Sequence, residues 1–310
     1  MRFAMIWCET NLSNLLLQWH TCLVYIDDII VFGRTFAEQL TRLEEVFARL
    51  ATAGLRLKPS KCHLFKDEVE FLGHVVTREG VKTDPAKVHQ LVHWARPATV
   101  SDVRAFLGFA GYYRRFVRDF ATLCRPLHAL TQQGRSFEWT DECEHVFCTL
   151  KDKLSRAPVL MYPRYGCDAP RFVLDVDASG VGLGAVLSQA DSEGCERPVA
   201  FASRSLTDTE QRYASTKSEL LGIVWAFRHF RCYLLGRPFL VRTDHRALEH
   251  LSRFKDPPAI IARWLEFLSE FDYVVQYRAG RSHANADGLS RLPGKASAVA
   301  SVSANTWQSM

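Results

Sequence analysis

No run of apolar residues in this chain approaches the roughly 20 that a helix needs to cross a bilayer. The N-terminus, with one early arginine and a short, interrupted apolar stretch, has no secretory cleavage pattern. The nine cysteines (8, 22, 62, 124, 143, 148, 167, 195 and 232) are odd in number and scattered. They form neither a CxxC pair nor a Cys/His array with zinc spacing, which argues against a disulfide framework and for reduced thiols. Excess charge is also small: +5 over 310 residues permits a polyanionic partner without demanding one. These absences set aside a membrane-spanning protein, a secreted disulfide scaffold and a zinc module. The expectation is a soluble intracellular protein, cytoplasmic or nuclear.

What is present is ordinary globular material, 47% hydrophobic and 24% charged, long enough for two or three domains with a substantial core. The stretch Arg171 to Gln189, RFVLDVDASGVGLGAVLSQ, reads as two strands joined by a turn at Ser179-Gly180, with carboxylates at Asp175 and Asp177 on the first. The two acids share one face of an ideal strand, so each competes for a role there. Val199 to Ser203 reads as a third strand. Glu219 follows in a helical run from Ser218. Asp244 ends the strand-like Phe239-Leu-Val-Arg-Thr-Asp, and Asp287 sits in His283-Ala-Asn-Ala-Asp-Gly-Leu-Ser-Arg.

Each acid has a plain alternative: Glu219 as an acid favoured near a helix start, Asp244 and Asp287 as caps or turn formers. Gathered carboxylates repel one another unless cations or protons compensate, so a cluster of four suits hard, oxygen-liganded divalent metals.

Asp177-Ala-Ser, Lys217-Ser-Glu219, Arg242-Thr-Asp244-His and Ala286-Asp287-Gly-Leu-Ser-Arg, in this order, resemble the ribonuclease H domain of gypsy-type LTR retrotransposon Pol polyproteins. The resemblance extends over residues 21 to 292. It implies two Mg²⁺ or Mn²⁺ ions held by Asp177, Glu219, Asp244 and Asp287, and hydrolysis of the RNA strand of an RNA–DNA hybrid. Asp177 rather than Asp175 matches the family register. Relatives carry an assisting histidine in a mobile loop before the fourth acid. Here His283 and His245 are the nearest histidines and neither has that placement, so His283 stands between an assisting and a structural role.

Upstream, Thr21-Cys-Leu-Val-Tyr-Ile-Asp-Asp-Ile-Ile-Val-Phe-Gly33 sets two β-rich runs around Asp27 and Asp28, a hairpin with its acids at the tip. It resembles the metal-binding hairpin of a reverse-transcriptase palm. A helix is expected from Thr35 to Leu50, with Phe36, Leu40, Leu43, Val46, Phe47 and Leu50 inward. The segments around Lys58-Pro-Ser-Lys61 and Phe-Leu-Gly73-His resemble the palm's later strands and the loop that grips a primer terminus, with Lys58 and Lys61 suited either to phosphates or to solvent. The family's palm needs a third aspartate on an earlier strand, a template-positioning helix and fingers. The 26 residues before Asp27 resemble none of these, so polymerisation is not expected. The hairpin is expected to leave sheet edges and apolar surface open, calling for missing polyprotein segments or a dimer partner.

Residues 82 to 165 read as helical. Asp84-Pro opens one helix and Thr99-Val-Ser-Asp102 a second by a capping box. Continued at 100° per residue, that second helix places Phe106, Phe109, Ala110, Tyr113, Phe116, Val117 and Phe120 on one face. Arg104, Arg115 and Arg118 fall opposite, where they suit either solvent or a template-primer backbone. This run resembles the family's thumb and connection.

The expected organisation is α/β (α+β). An unassigned segment covers 1–20, a truncated palm 21–80, a helical thumb/connection 81–166 and a mixed sheet flanked by helices 167–292. A small, polar and disordered tail covers 293–310. Two functions follow from the resemblance: a hybrid-specific ribonuclease H, or a catalytically inert nucleic-acid-binding remnant.

Overall fold

Residues 2–7, 21–244 and 258–278 are described by the computed structural model of this chain, and all lie in the compact unit that ends at Arg278. His245, His283 and Asp287 lie outside the described residues.

In the N-terminal run RFAMIW, residues Phe3 to Ile6 are apolar because both faces of the strand are covered there. The run forms strand β1 (Arg2–Trp7), which joins β2 (Cys22–Tyr25), β3 (Asp28–Gly33) and β4 (His63–Lys66) in a sheet of order β2-β3-β1-β4. Ala4 and Ile6 pack under helix α1 (Phe36–Thr52) with Leu43, Val46 and Leu50. Phe3 and Met5 meet Ile30 and Val69 on the other side. Because β1 pairs with β3 along its length, from Arg2↔Gly33 to Trp7↔Asp28, the open edge expected on that side of the hairpin is closed. A run buried on both faces shows no alternation, so period alone leaves it silent.

Two details of this region also differ from expectation. The hairpin tip is Ile26-Asp27, and Asp28 is the first residue of β3, paired with Tyr25. On α1, Phe36, Leu40 and Phe47 are exposed. Gln39 takes the buried position instead, donating from Nε2 to the Val31 carbonyl at 3.2 Å.

Strands β5 (Glu68–Phe71), β6 (His74–Thr77) and β7 (Val81–Thr83) form a second antiparallel sheet. Leu72 and Gly73, both at positive φ (48° and 65°), make the two-residue turn between β5 and β6, as its right-handed twist requires.

The helical module begins with α2 (Pro85–Val92), where Asp84 caps the Ala86 N–H at 2.8 Å. α3 (Val100–Tyr112) opens with the Thr99/Asp102 capping box. It stops at Tyr113, however. A 3₁₀ turn (Arg114–Phe116) and the short α4 (Phe120–Leu123) follow, so Arg104, Arg115 and Arg118 do not share a helix face. The aromatic residues stay inside despite the break: Phe106, Ala110, Tyr113, Phe116, Val117 and Phe120 are buried with Leu127, Phe147 and Leu150 of α5 (Arg125–Leu130) and α6 (Asp141–Ser155). Each such side chain contributes about 1.5–3 kcal/mol by leaving water, which outweighs continuing a helix through Arg114.

The third sheet runs β10-β9-β8-β11-β12, from β8 (Phe172–Ala178), β9 (Gly182–Ala190), β10 (Glu196–Ser205), β11 (Phe239–Thr243) and β12 (Tyr273–Tyr277). The first three are antiparallel, and β11 and β12 run parallel to β8. α7 (Ser215–His229) packs against this sheet through Leu220, Ile223, Val224 and Phe227. α8 (Ala259–Leu268) adds Trp264 and Leu268 to the same core. None of the described helices is long and apolar enough to cross a membrane.

Candidate active site

Asp177 occupies the penultimate position of β8, where antiparallel pairing sets it opposite Gly184 of β9. Its strand neighbours Val176 and Ala178 point the other way, into α7, because successive strand side chains alternate. There they meet Gly222. A Cβ on Gly222 would lie 3.2 Å from Val176 Cγ1 and 3.7 Å from the Ala178 Cβ. This close approach sets α7 near the end of β8. Glu219 is three residues earlier on α7 and so shares the face that carries Gly222.

Glu219 is 7% exposed, an unusual state for a carboxylate, and its Oε2 has no hydrogen-bond partner among the described residues. Burial first, then the charge of Asp244, then that of Asp177, push its pKa up to about 8. Asp244 lies just past the end of β11, the strand beside β8. Three of the four candidate acids are therefore brought to one end of the sheet.

Asp175 has different company. It pairs with Arg242 in the parallel register of β8 and β11 and has Arg278 Nη1 at 3.9 Å. Arg242 in turn forks onto Glu196 at 2.6 and 2.7 Å. Asp175 thus belongs to an ion network in mid-sheet, while Asp177 faces the other acids.

Carboxylates are the right donors for a hard divalent cation, and an orphaned buried oxygen is what such an ion would satisfy. The ligand set is not closed, however: among the described residues no three His, Cys, Asp or Glu side chains are placed to hold one metal ion.

The polymerase-like acids are arranged otherwise. Burial, and then Asp27, raise the pKa of Asp28, while Lys61 counters them. The residue opposite Asp28 on β1 is Trp7, and β1 contains no acid. Lys58 precedes the 3₁₀ turn Pro59–Lys61.

Gly73 is clamped from α3. The Tyr113 hydroxyl donates to its carbonyl at 2.7 Å and the Tyr112 hydroxyl donates to the Leu72 carbonyl. Of the three arginines, Arg104 donates to the Thr131 carbonyl at 3.1 Å. Arg115 faces His74, whose pKa is lowered mainly by burial and then by that guanidinium. Arg118 lies 3.5 Å from Asp119.

Sequence reasoning passed over Asp119, Gly182, Gly184 and Gly222. Gly182 and Gly184 did leave a signal, since glycine inside a strand marks a close approach of other atoms.

Comparison with known proteins supplies a context. Residues 4–76 match the family model for reverse transcriptase (RNA-dependent DNA polymerase) and residues 168–271 that for the RNase H-like domain found in reverse transcriptase. Over 287 residues the chain is 41% identical to the retrovirus-related Pol polyprotein from transposon 297 of Drosophila melanogaster, covering 92% of this chain and 26% of that protein. It is 35% identical to the corresponding polyprotein from transposon gypsy, covering 87% and 27%. A transposon Tf2-3 polyprotein of Schizosaccharomyces pombe is 29% identical, covering 86% and 20%. The chain thus spans roughly a quarter of the length of these relatives.

Among solved structures, a foamy viral protease-reverse transcriptase in complex with RNA/DNA hybrid superimposes with a TM-score of 0.71 at 21% identity, covering 98% of this chain and 47% of that one. The same enzyme in complex with double-stranded DNA gives 0.70 at 25% identity, covering 86% and 56%. The fold is that of a reverse transcriptase carrying an RNase H-like domain.

Proposed function

We propose, from the premise that this chain belongs to the retrovirus-related Pol polyproteins of gypsy-type LTR retrotransposons, that its 167–292 region is a ribonuclease H. The reaction is hydrolysis of the RNA strand of an RNA–DNA hybrid. The observation that carries this reading is Glu219: a buried carboxylate with an unpartnered oxygen, turned toward Asp244 and Asp177. A buried carboxyl with an unpartnered oxygen, pressed by two neighbouring acids, is a costly arrangement for the fold alone. It is reasonable where a divalent cation completes it.

Asp177, Glu219 and Asp244 would hold Mg²⁺ or Mn²⁺, with Asp287 as the expected fourth ligand. When bound, the metal supplies Lewis-acid stabilisation of the phosphoryl oxygens and a water of lowered pKa. The protein's own part is positional. β8 and β11 are rigid, neighbouring strands that fix Asp177 and Asp244. Gly222 seats α7 so that Glu219 reaches them. Burial of Glu219 strengthens its interaction with any cation through the low local dielectric. Preference for a hybrid over duplex DNA would rest on 2′-hydroxyl contacts and on groove shape.

The test is a labelled hybrid incubated with Mg²⁺, comparing the chain with Asp177→Asn. Cleavage lost in the variant supports the nuclease. A second reading draws on the open ligand set: a nucleic-acid-binding module without turnover, for which the hybrid is bound and left intact. RNA-directed DNA polymerase activity is not part of the proposal, because the strand paired with Asp28 contains no acid.

A further inference from the structure

Asp119 is one of four non-glycine residues at positive φ (55°) among the described residues, a conformation that persists where the surroundings enforce it. Its surroundings are the RNase H-like sheet. A Cβ on Gly184 would collide with Asp119 Oδ1, and one on Gly182 would collide with Thr122 Oγ1. The Ala121 N–H donates to Ser203 Oγ of β10 at 2.9 Å. Two glycines of β9 thus form a seat for the start of α4.

The seat has a direction. Gly184 is the cross-strand partner of Asp177, and directly opposed residues of an antiparallel pair project to the same face. Asp119 therefore comes down on the face that carries Asp177. The two carboxylates act on one another, with Arg118 and Lys153 as the opposing cations. Arg118 Nε stands 3.5 Å from Asp119 Oδ2, and its two Nη groups have no protein partner among the described residues. The side chain is about one quarter exposed at 28%. A guanidinium with two vacant donors, anchored next to the acids, suits a phosphodiester oxygen.

We propose that Arg118, anchored by Asp119 on the Gly184 seat, grips a backbone phosphate of the nucleic acid beside Asp177, so that the helical module forms one wall of the nuclease centre. The inference rests on the nuclease reading above and adds a positioning residue to it. The repulsion between Asp119 and Asp177 has a use here: it is offset by Arg118, so the guanidinium is held where a phosphate would otherwise meet uncompensated negative charge.

The experiment uses the full chain and a fluorescently labelled RNA–DNA hybrid, with anisotropy measured in EDTA between 50 and 200 mM salt. Each phosphate neutralised adds about 0.9 to the slope of log K against log salt. Arg118→Ala is expected to weaken binding about 3- to 10-fold and to lower that slope by about one contact. Arg118→Lys should restore most of the slope, which a packing role would not predict. Gly184→Ala displaces Asp119. It should reproduce the Arg118→Ala slope and add nothing in the double variant, once its melting curve shows that it is folded.

An unchanged slope in Arg118→Ala would overturn the inference. So would full additivity with Gly184→Ala. The two readings fail separately: an unchanged slope with Mg²⁺-dependent cleavage intact removes only the Arg118 contact. Absent cleavage with a lowered slope removes only the nuclease.

Discussion

Asp244, at the end of β11, is the charge that acts most strongly on Glu219 of α7, whose carboxyl is buried and pushed up to about 8. The pair ties together two residues that are 25 positions apart in the chain and defines the end of the sheet where chemistry is expected.

This pairing has a consequence for the chain in chelator. The folded-state pKa of Glu219 lies above the ordinary carboxyl value of 4.5, so between these values the folded chain keeps a proton that the unfolded chain releases. Stability from this group is full below about pH 4.5 and is lost as pH rises through about 8. Glu219→Gln removes the dependence. Melting in EDTA from pH 5 to pH 8.5 should show the variant gaining on the parent as pH rises, by an amount on the order of 1–3 kcal/mol. Added Mg²⁺ should then stabilise the parent more than the variant. Parallel curves for the two proteins would show that Glu219 is not held as described.

Gly222 is the spacer for this arrangement. Gly222→Val adds bulk where a single Cβ already comes within 3.2 Å of Val176. Overpacking of this kind costs typically 1–3 kcal/mol. It should also move Glu219 away from Asp177, reducing cleavage at least tenfold in protein that remains folded. A folded variant with full activity would mean that α7 does not set the position of Glu219.

Gln189 of β9 is fully buried, at 0% exposure. Its Oε1 accepts from the Arg164 N–H at 2.8 Å, and its Nε2 donates to the carbonyls of Arg164 at 3.0 Å and Pro170 at 2.6 Å. This one side chain staples the segment read from sequence as a domain boundary. Gln189→Ala leaves those backbone groups unpaired, at about 1–3 kcal/mol, and should open residues 163–170 to limited proteolysis. In the parent, the same digestion should spare this segment. Equal cutting of both proteins would count against the staple.

The elements that were legible in the sequence are those with local chemistry. The Thr99/Asp102 capping box, Pro85 behind Asp84 and the Ser179-Gly180 turn carry their signals within a few residues. The three strands between Arg171 and Ser203 and the helix that carries Glu219 were readable for the same reason. What was not readable depends on contacts distant in the chain. Phe3 to Ile6 of β1 are apolar without alternation because two clusters cover them. α3 ends at Tyr112 although its periodicity continues, since the 3₁₀ turn and α4 together keep Phe116 and Phe120 in the core. The seat for Asp119 needs glycines from a strand more than 60 residues downstream, which no local pattern announces.

Primer extension addresses the other acidic pair. With no acid on β1, the strand paired with Asp28, the chain incubated with template-primer, dNTPs and Mg²⁺ should give no extended product. Extension that is abolished by Asp28→Asn would show that Asp27 and Asp28 suffice for catalysis in this setting.

The convergence of Asp177, Glu219 and Asp244 on a cation is tested most directly by Mn²⁺ binding, followed by electron paramagnetic resonance of free Mn²⁺ during titration of the full chain. The parent should take up Mn²⁺ at a site that weakens at least tenfold in each of Asp177→Asn, Glu219→Gln and Asp244→Asn. Mn²⁺ bound equally by the parent and all three variants would contradict the account.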